Sequence, residues 1–359
     1  GVLGCMAQSL REELLARFPA VDFLCGPDAY RELPALIERA RKLHERGSAI
    51  GLSEYETYDD IAPTRVEGVN AWIAIMRGCD NYCSFCVVPY ARGRERSRDP
   101  DGIVTETRQL VDAGYGQVTL LGQNVNSYQH DGTDFADLML RVAAVDGIER
   151  VRFISPHPKD FPLKLLAAIA GNERLCPHIH LPLQAGADRV LSKMNRGYTA
   201  AEFLRLVDRI RETIPDVTLT TDIICGFPTE TDDEFAETER IIRTVSFDAA
   251  FIFKYSERQG TTAAKLWDDD VPAEIKSQRV SRLVAVQREI SLHHHQALIG
   301  QAVRVLIEGT SRKRADEWKA RTAGNTIVIF PDPNRQVGDL CLVRITEVTP
   351  NTLIGLPAD

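Results

Sequence analysis

Strand-like and helix-like segments alternate along most of this chain, and the alternation limits the folds that it can adopt. Between residues 67 and 295, short apolar runs predict six strands, at 71–76, 117–121, 150–154, 178–183, 217–224 and 249–255. Amphipathic runs between them predict helices that include 103–113, 134–145, 200–213 and 230–245. Strands joined through helices pair in parallel with right-handed crossovers. We therefore predict an α/β fold with a parallel (βα) barrel, full or partial, and a site at the carboxyl ends of its strands.

Different patterns flank this segment. Residues 1–66 predict part of an α/β domain, and because the chain opens on Gly1 rather than on methionine, we expect further residues upstream. After a long helix predicted at 272–298, short alternating runs are separated by Gly, Pro and Asn, which is typical of a small antiparallel β-barrel. These runs lie at 303–307, 326–330, 340–345 and 352–356. We divide the chain into three predicted domains, at residues 1–66, 67–295 and 296–359.

Composition excludes several classes of protein. The 359 residues carry a formal net charge of −8, which excludes a uniformly basic nucleic-acid coat but not local basic patches. No apolar run approaches the length of a membrane span, so we expect no membrane association. Eight cysteines in a chain of this length favour free thiols over a disulfide framework. Free thiols indicate a reducing compartment, and we expect a cytoplasmic protein.

Three cysteines directly follow the first predicted strand of the barrel. Cys79, Cys83 and Cys86 have the spacing Cys-x-x-x-Cys-x-x-Cys, and thiolates are soft ligands that suit iron–sulfur clusters and zinc. A closed structural zinc site needs four donors, usually in paired Cys-x-x-Cys units. The spacing therefore favours an iron–sulfur cluster with one open iron, and a zinc knuckle is the alternative. Four other cysteines lie in or beside apolar runs and are expected to be buried free thiols: Cys25, Cys176, Cys225 and Cys341.

A basic segment lies between the first two predicted strands of the tail, at residues 311–321. Cationic side chains neutralise phosphates and an indole ring stacks on a base. A basic loop is also a common solvated face, but charge beside an aromatic ring on a small β-barrel favours RNA contact. The candidate RNA-binding residues are Arg312, Lys313, Arg314, Trp318 and Lys319.

Six motifs together resemble those of a known family. They are Gly-Cys-Asp-Asn-Tyr-Cys-Ser-Phe-Cys-Val-Val-Pro-Tyr-Ala-Arg-Gly at 78–93, Leu-Gly-Gln-Asn-Val-Asn-Ser-Tyr at 121–128, Ser-Pro-His-Pro-Lys-Asp at 155–160, His-Leu-Pro-Leu-Gln at 180–184, Met-Asn-Arg-Gly-Tyr at 194–198 and Thr-Asp-Ile-Ile-Cys-Gly-Phe-Pro at 221–228. The series resembles that of the radical S-adenosylmethionine (SAM) methylthiotransferases over nearly the whole chain. The tail is similar to the RNA-binding TRAM domain of that family.

The resemblance implies an activity. The motifs are most similar to the branch that adds a methylthio group to C2 of N6-isopentenyladenosine next to the tRNA anticodon. SAM cleaved at the cluster would give a radical that takes hydrogen from C2, so no catalytic triad is expected. Two other substrates stay open within the family, a threonylcarbamoyl-adenosine of tRNA and an aspartate of a ribosomal protein. From a different class, a non-catalytic Fe–S or zinc RNA-binding protein also stays open.

The resemblance also implies cofactors, namely SAM and two 4Fe–4S clusters. The radical SAM cluster would be held by Cys79, Cys83 and Cys86. The second, auxiliary cluster takes three cysteines of the N-terminal domain; Cys5 matches one of them, and the other two would lie upstream of Gly1. For SAM itself the resemblance points to Phe85, Gly122, Gln184, Arg196 and Asp222.

The implied partners are a tRNA anticodon stem-loop and an electron donor such as flavodoxin or ferredoxin, and we expect a monomer. Arg92, Arg94, Arg96 and Arg98 follow the cysteine motif at two-residue spacing. We expect arginines of this run at tRNA phosphates, with Arg92 and Arg94 as the candidates, and a solvated strand is the alternative.

Overall fold

The computed structural model of the chain describes residues 1–61, 63, 68–314 and 316–358. The predicted domain boundary between residues 66 and 67 lies outside these ranges, as does residue 359. Within them, every helix is too short or too polar to cross a membrane.

A small parallel sheet forms the first part of the structure. Its strands pair in the order β1-β2-β3. The elements are β1 (Val2–Leu3), α1 (Cys5–Arg17), β2 (Phe23–Cys25), α2 (Leu33–Glu38) and β3 (Gly47–Ala49). Adjacent residues of a strand point to opposite faces. Accordingly Leu24 packs in one apolar cluster with Leu14 of α1, and Cys25 packs in another with Leu36 of α2.

Two three-stranded parallel sheets form the wall of an open barrel, in the orders β10-β7-β4 and β11-β12-β13. A bridge between Val151 and Leu175 joins the two halves. Among the described residues, β4 and β13 have no strand on their outer edges, so the barrel is open there. In chain order the strands are β4 (Asn70–Ala74), β5 (Met76–Arg77), β6 (Arg96–Ser97), β7 (Gln117–Leu121), β8 (Gln129–His130), β9 (Thr133–Asp134), β10 (Arg150–Phe153), β11 (His178–His180), β12 (Thr218–Cys225) and β13 (Ala249–Lys254).

Helices cover this wall, and their starts are encoded by capping residues. Asp134, Thr199 and Thr231 each accept a hydrogen bond from the backbone three residues on, in complete capping boxes. The helix predicted at 230–245 therefore begins two residues later, at Asp232. The helices are α3 (Val88–Arg92), α4 (Pro100–Asp112), α5 (Phe135–Ala143), α6 (Leu163–Ala170), α7 (Asp188–Lys193), α8 (Ala200–Thr213), α9 (Asp232–Val245), α10 (Thr262–Leu266) and α11 (Ala273–Gln296). The predicted fold class is confirmed.

The tail is a closed five-stranded barrel in the order β14-β15-β16-β18-β17. Its strands pair antiparallel, except that β16 and β18 are parallel. One strand was predicted as loop, because the charged residues of β15 conceal its alternation: Ala320 is buried while the flanking Lys319 and Arg321 point outward to Glu308. The strands are β14 (Ala302–Thr310), β15 (Glu317–Thr322), β16 (Ile327–Pro331), β17 (Leu340–Val348) and β18 (Thr352–Pro357).

Two buried arginines attach the tail to the barrel. Arg150 donates to the carbonyl of Arg321 over 2.7 Å, and Arg152 donates to those of Thr322 and Ala323 over 2.7 and 2.8 Å. Burial lowers the pKa of Arg150 to about 10, so its guanidinium is still charged at neutral pH. The turn between β15 and β16 is thereby held against the amino-terminal ends of the barrel strands.

A buried carboxylate joins the first sheet to the barrel. Asp28 lies beyond β2, its side chain is fully buried, and it accepts from Arg77 over 3.1 Å and from Arg96 over 3.0 Å. The two arginines face each other across the β5–β6 pair. Asp28 therefore holds both ends of the loop that runs from residue 78 to 95.

We expect Gly186→Ala to destabilise the barrel. An added Cβ would lie 2.5 Å from Thr238 Cα and 2.7 Å from the carbonyl oxygen of Glu237, both on the backbone of α9. Overpacking of this kind costs about 1–3 kcal/mol. The midpoint of urea unfolding should fall accordingly, whereas Gly51→Ala, which meets no atom within 4 Å, should leave it near the parent value. Equal midpoints for the two variants would contradict the packing described.

Candidate iron–sulfur site

The three predicted cysteines lie on one loop, which we call the cluster loop (residues 78–95), between β5 and β6. At its start Gly78 has φ +80° and donates to the Gln123 side chain over 2.7 Å. A Cβ on Gly78 would collide with the carbonyl group of Arg94. Glycine is therefore required where the two ends of the cluster loop approach each other.

Each cysteine sulfur has a nitrogen donor nearby. Arg196 Nη1 lies 3.2 Å from Cys83 Sγ, the backbone N of Val88 lies 3.5 Å from Cys86 Sγ, and Asn81 Nδ2 lies 3.7 Å from Cys79 Sγ. Hydrogen bonds to sulfur stabilise thiolate ligands and help to set the potential of an iron–sulfur cluster. The donors around the loop fit three thiolates.

Burial opposes thiolate formation at two of the cysteines. It raises the pKa of Cys86 to about 11 and raises that of Cys79 above its ordinary value. These two thiols are therefore protonated at neutral pH, and ligation would release their protons. In the described part of the chain, no three His, Cys, Asp or Glu side chains converge on one point as ligands of a single ion do. Cysteines that bind different irons of a cubane need no such convergence.

His157 borders the site and is held neutral. Its pKa is lowered to about 3 by burial, with Arg196 and Lys159 as lesser causes. Nδ1 accepts a hydrogen bond from the backbone N of Lys159 over 3.2 Å, which leaves the proton on Nε2, 4.0 Å from Cys83 Sγ. The motif at 155–160 contains this histidine, but no feature of the motif assigns it to the sulfur of Cys83.

A cavity of about 330 Å³ adjoins the cluster loop. It is lined by three of the residues expected at SAM, Phe85, Gln184 and Asp222, together with Tyr255 and Arg258. Gln184 has φ +70°, and its buried Oε1 accepts no hydrogen bond from the described residues. A buried acceptor of this kind is completed by a water or by a ligand. The cavity combines it with a carboxylate and an aromatic ring, which suits a polar nucleoside.

Two further residues expected at SAM do not line this cavity. Arg196 is buried between Cys83, the carbonyl of Pro182 (3.0 Å) and the hydroxyl of Tyr198 (3.0 Å). Gly122 follows β7, where a Cβ would lie 2.6 Å from Met76 Cγ, so close packing already accounts for that glycine.

The structure places Arg92 and Arg94 differently from each other. Arg92 Nε lies 3.2 Å from Sγ of Cys5, the first residue of α1. Arg94 is exposed and paired with Asp80 over 2.7 Å. Cys5 is thus near helix α3 within the cluster loop, but one thiol does not hold a cubane. The other four cysteines are buried, as expected.

The five tail residues also separate into two sets. Arg312 and Lys313 are exposed in the β14–β15 turn, where Arg314 pairs with Glu317 over 3.2 Å. The other two belong to strand β15 rather than to a loop. Trp318 donates from Nε1 to the carbonyl of Asp332 over 2.6 Å, and Lys319 pairs with Glu308 over 3.0 Å.

Sequence reasoning missed several groups that shape the cluster loop. Glu95 accepts from Asn124 over 3.1 Å and from the backbone N of Asp80 over 3.2 Å. Asn195 donates to the carbonyls of Asn81 and Tyr82 over 3.2 and 3.0 Å. Asn124 and Asn195 lie within the motifs at 121–128 and 194–198. The motifs therefore mark these two residues, but they do not show which groups the side chains contact.

Known proteins match this chain along its length. Residues 73–242 match the family model described as the radical SAM superfamily, and residues 296–357 match the TRAM domain. Proteins named tRNA-2-methylthio-N(6)-dimethylallyladenosine synthase from Chloroherpeton thalassium and Chlorobium limicola are 47% and 43% identical to it. These alignments cover 99% and 100% of the chain, and 79% and 81% of the relatives.

A solved structure shares the fold. The cobalamin-dependent S-adenosylmethionine radical enzyme OxsB matches with a TM-score of 0.50 at 14% identity, over 78% of this chain and 46% of that one. Together with the cysteine loop and the closed tail barrel, the level of identity over nearly the full length decides the family. The chain belongs to the tRNA-2-methylthio-N(6)-dimethylallyladenosine synthase family of radical SAM enzymes.

Proposed function

We propose that this protein adds a methylthio group to C2 of N6-isopentenyladenosine next to the tRNA anticodon. The observation that carries the proposal is the cluster loop: three cysteines with nitrogen donors at the carboxyl end of the barrel, beside a cavity with an unpaired buried amide oxygen. Relatives of this identity and coverage carry the name of that activity.

The target carbon explains the need for cofactors. C2 of adenine carries an unactivated hydrogen that general acid–base catalysis cannot remove at neutral pH. A reduced 4Fe–4S cluster with SAM supplies, when bound, a carbon radical that is able to take it. The protein has to bind these groups, orient them and keep water away.

In this proposal Cys79, Cys83 and Cys86 hold the radical SAM cluster. Arg196 donates to the Cys83 sulfur, and its guanidinium would form a charge-assisted pair with the methionyl carboxylate of SAM. The neutral imidazole of His157 lies 4.0 Å from the same sulfur and adds no charge there.

The 330 Å³ cavity is the proposed nucleoside end of the SAM site. Gln184 Oε1 and the Asp222 carboxylate are suited to accept from ribose hydroxyls. His180 holds that carboxylate, because its Nε2 lies 3.2 Å from Asp222 Oδ2 while its Nδ1 lies 2.9 Å from Thr220 Oγ1. Phe85 supplies an apolar wall, and Gly122 keeps the end of β7 close to Met76.

We also propose a second, auxiliary cluster, of which Cys5 is one ligand. We further propose a flavodoxin- or ferredoxin-type electron donor, a monomer, and a cytoplasmic location. We also propose a functional division of the chain at the predicted bounds, in which residues 1–66 carry Cys5, residues 67–295 cleave SAM and residues 296–359 bind RNA.

The proposed RNA contacts fall at two places. In the tail, Arg312 and Lys313 are exposed and present charge at the β14–β15 turn. Arg314, Trp318 and Lys319 already have protein partners, so their contribution requires exchange or sharing of those partners. Near the cluster loop, Arg94 is the more available of the two arginines, since Arg92 is directed at Cys5.

The substrate can be tested directly. The protein, reconstituted anaerobically with iron, sulfide, SAM and a reductant, should add a methylthio group to an isopentenylated anticodon stem-loop, detected by mass spectrometry of the RNA. Stem-loops carrying unmodified adenosine or threonylcarbamoyl-adenosine should stay unchanged. A product on the threonylcarbamoyl RNA would favour the nearest alternative, and iron binding without SAM cleavage would favour a non-catalytic RNA-binding protein.

We expect Cys83→Ala to abolish SAM cleavage. One of three ligands is lost, and the Arg196 guanidinium loses the sulfur that it contacts. Iron content after reconstitution and deoxyadenosine formation should both collapse. Cys176→Ala is the matched control, because that thiol is buried away from the cluster loop, and it should keep its iron. Deoxyadenosine formation at the parent rate in Cys83→Ala would refute the assignment.

We expect the double variant Arg312→Gln/Lys313→Gln to bind tRNA more weakly, with a flatter salt dependence. Each phosphate contact that is lost should reduce the slope of log Kd against log salt by about 0.7–0.9. The measurement is tRNA binding at several salt concentrations. Lys164→Gln, on helix α6 and paired with Asp134 and Asp137, is the control and should keep the parent slope. An unchanged slope in the double variant would make the turn an ordinary solvated face.

A further inference from the structure

Two tyrosines are exposed on the cluster loop, and no role assigned so far uses them. Tyr82 and Tyr90 are each 42% exposed, which is high for an aromatic ring beside a buried cofactor site. Their ring centroids are 6.1 Å apart and their planes are inclined at 79°. Tyr82 directly precedes Cys83, and Tyr90 lies four residues after Cys86.

The backbone of Tyr82 is held in an unfavourable conformation. Its φ is +47°, in the left-handed region, which costs a residue with a Cβ about 1–2 kcal/mol. Asn195 stabilises this turn by donating to the Tyr82 carbonyl over 3.0 Å. Glycine or asparagine would adopt the same φ more easily. The backbone conformation of the turn therefore does not explain why residue 82 is a tyrosine. A role for its exposed ring explains the choice of residue.

Tyr90 presents its ring from a short, well-anchored helix. Within α3, Pro89 and Ala91 are buried whereas Tyr90 is exposed. Its backbone N donates to the carbonyl of Val87 over 3.1 Å, so the ring is carried on fixed backbone. A rigid aromatic ring loses little conformational entropy when it binds a flat partner.

Positive charge lies next to the rings. The Arg94 side chain is 72% exposed, and although it pairs with Asp80, that pair is at the surface and weak enough to exchange. Aromatic rings beside an arginine are the elements with which proteins bind unpaired nucleotides. An enzyme that acts on C2 of a base must also take that base out of its stack, which leaves the neighbouring bases without a partner.

We propose that Tyr82 and Tyr90 form a stacking site for an RNA base adjacent to the modified nucleoside, with Arg94 at the neighbouring phosphate. The site compensates for the stacking that is lost when the target base enters the barrel. The inference rests on the proposed function, because it assumes an RNA substrate at the cluster loop.

The test uses an isopentenylated anticodon stem-loop in which the base next to the target is replaced by 2-aminopurine, whose fluorescence is quenched by stacking. The parent protein should change its fluorescence on binding. Tyr90→Leu should lose that change and weaken binding about 5- to 150-fold, since stacking on an aromatic ring is worth roughly 1–3 kcal/mol per base. Tyr90→Phe, which keeps the ring, should behave like the parent.

Controls separate this inference from the proposed function. Tyr55 is 86% exposed and lies in the N-terminal segment, so Tyr55→Leu should leave both binding and fluorescence unchanged. All variants are compared at equal iron content. If Tyr90→Leu and Tyr82→Leu bind and quench like the parent while the parent forms the methylthio product, the stacking site is wrong and the function stands. If the parent forms no methylthio product on any of the RNAs, the function itself fails.

Discussion

The buried Asp28 carboxylate is the interaction on which the arrangement of the site depends. Its side chain is fully buried and receives hydrogen bonds from Arg77 and Arg96, which bracket the cluster loop, and from the backbone N of Ser53. Removing one member of a buried pair leaves an uncompensated charge and costs about 3–5 kcal/mol. Such a group specifies one geometry rather than adding net stability. Here it fixes the first sheet, with Cys5 on α1, against the loop that carries the other three cysteines.

Charged and neutral side chains also surround the three cysteines of the cluster loop. One buried and two half-buried thiols lie close in space to a buried guanidinium and to an imidazole that stays neutral. Arg196 brings one positive charge to the sulfur of Cys83, and the neutral His157 adds none. The guanidinium therefore offsets part of the negative charge of three thiolate ligands.

Much of this arrangement could be predicted from the sequence, because it depends on local patterns. The six barrel strands and the helices between them follow from the spacing of apolar residues, and the helix starts follow from the capping residues. The cysteine site follows from the spacing and ligand chemistry of the thiols. The predicted strand at 178–183 ends early, at His180, two residues before Pro182, which has no N–H for the ladder. The strand β15 was missed because its outward residues are charged, and only the closed barrel gives them partners in Glu308.

Partners distant in sequence were beyond prediction. No local pattern links Asp28 to Arg96, 68 residues away, or Arg92 to Cys5, 87 residues away. The arginines after the cysteine motif looked equivalent at two-residue spacing, yet Arg96 and Arg98 are buried in ion pairs while Arg94 is exposed. Tertiary contacts, rather than composition, separate the structural arginines from the candidates for RNA contact.

The attachment of the tail to the barrel bears on which nucleotide of a bound RNA would reach the cluster loop. Arg150 and Arg152 hold backbone carbonyls of β15 and its turn, and Gly324 fits against Thr218 with no room for a side chain. The tail barrel is therefore held in one position against the larger barrel. The fold sets the distance from the tail's exposed turn to the cluster loop. An RNA bound at both places must span that fixed distance. In the proposed complex, the nucleotide that reaches the cluster loop is therefore the one that lies at this distance along the RNA.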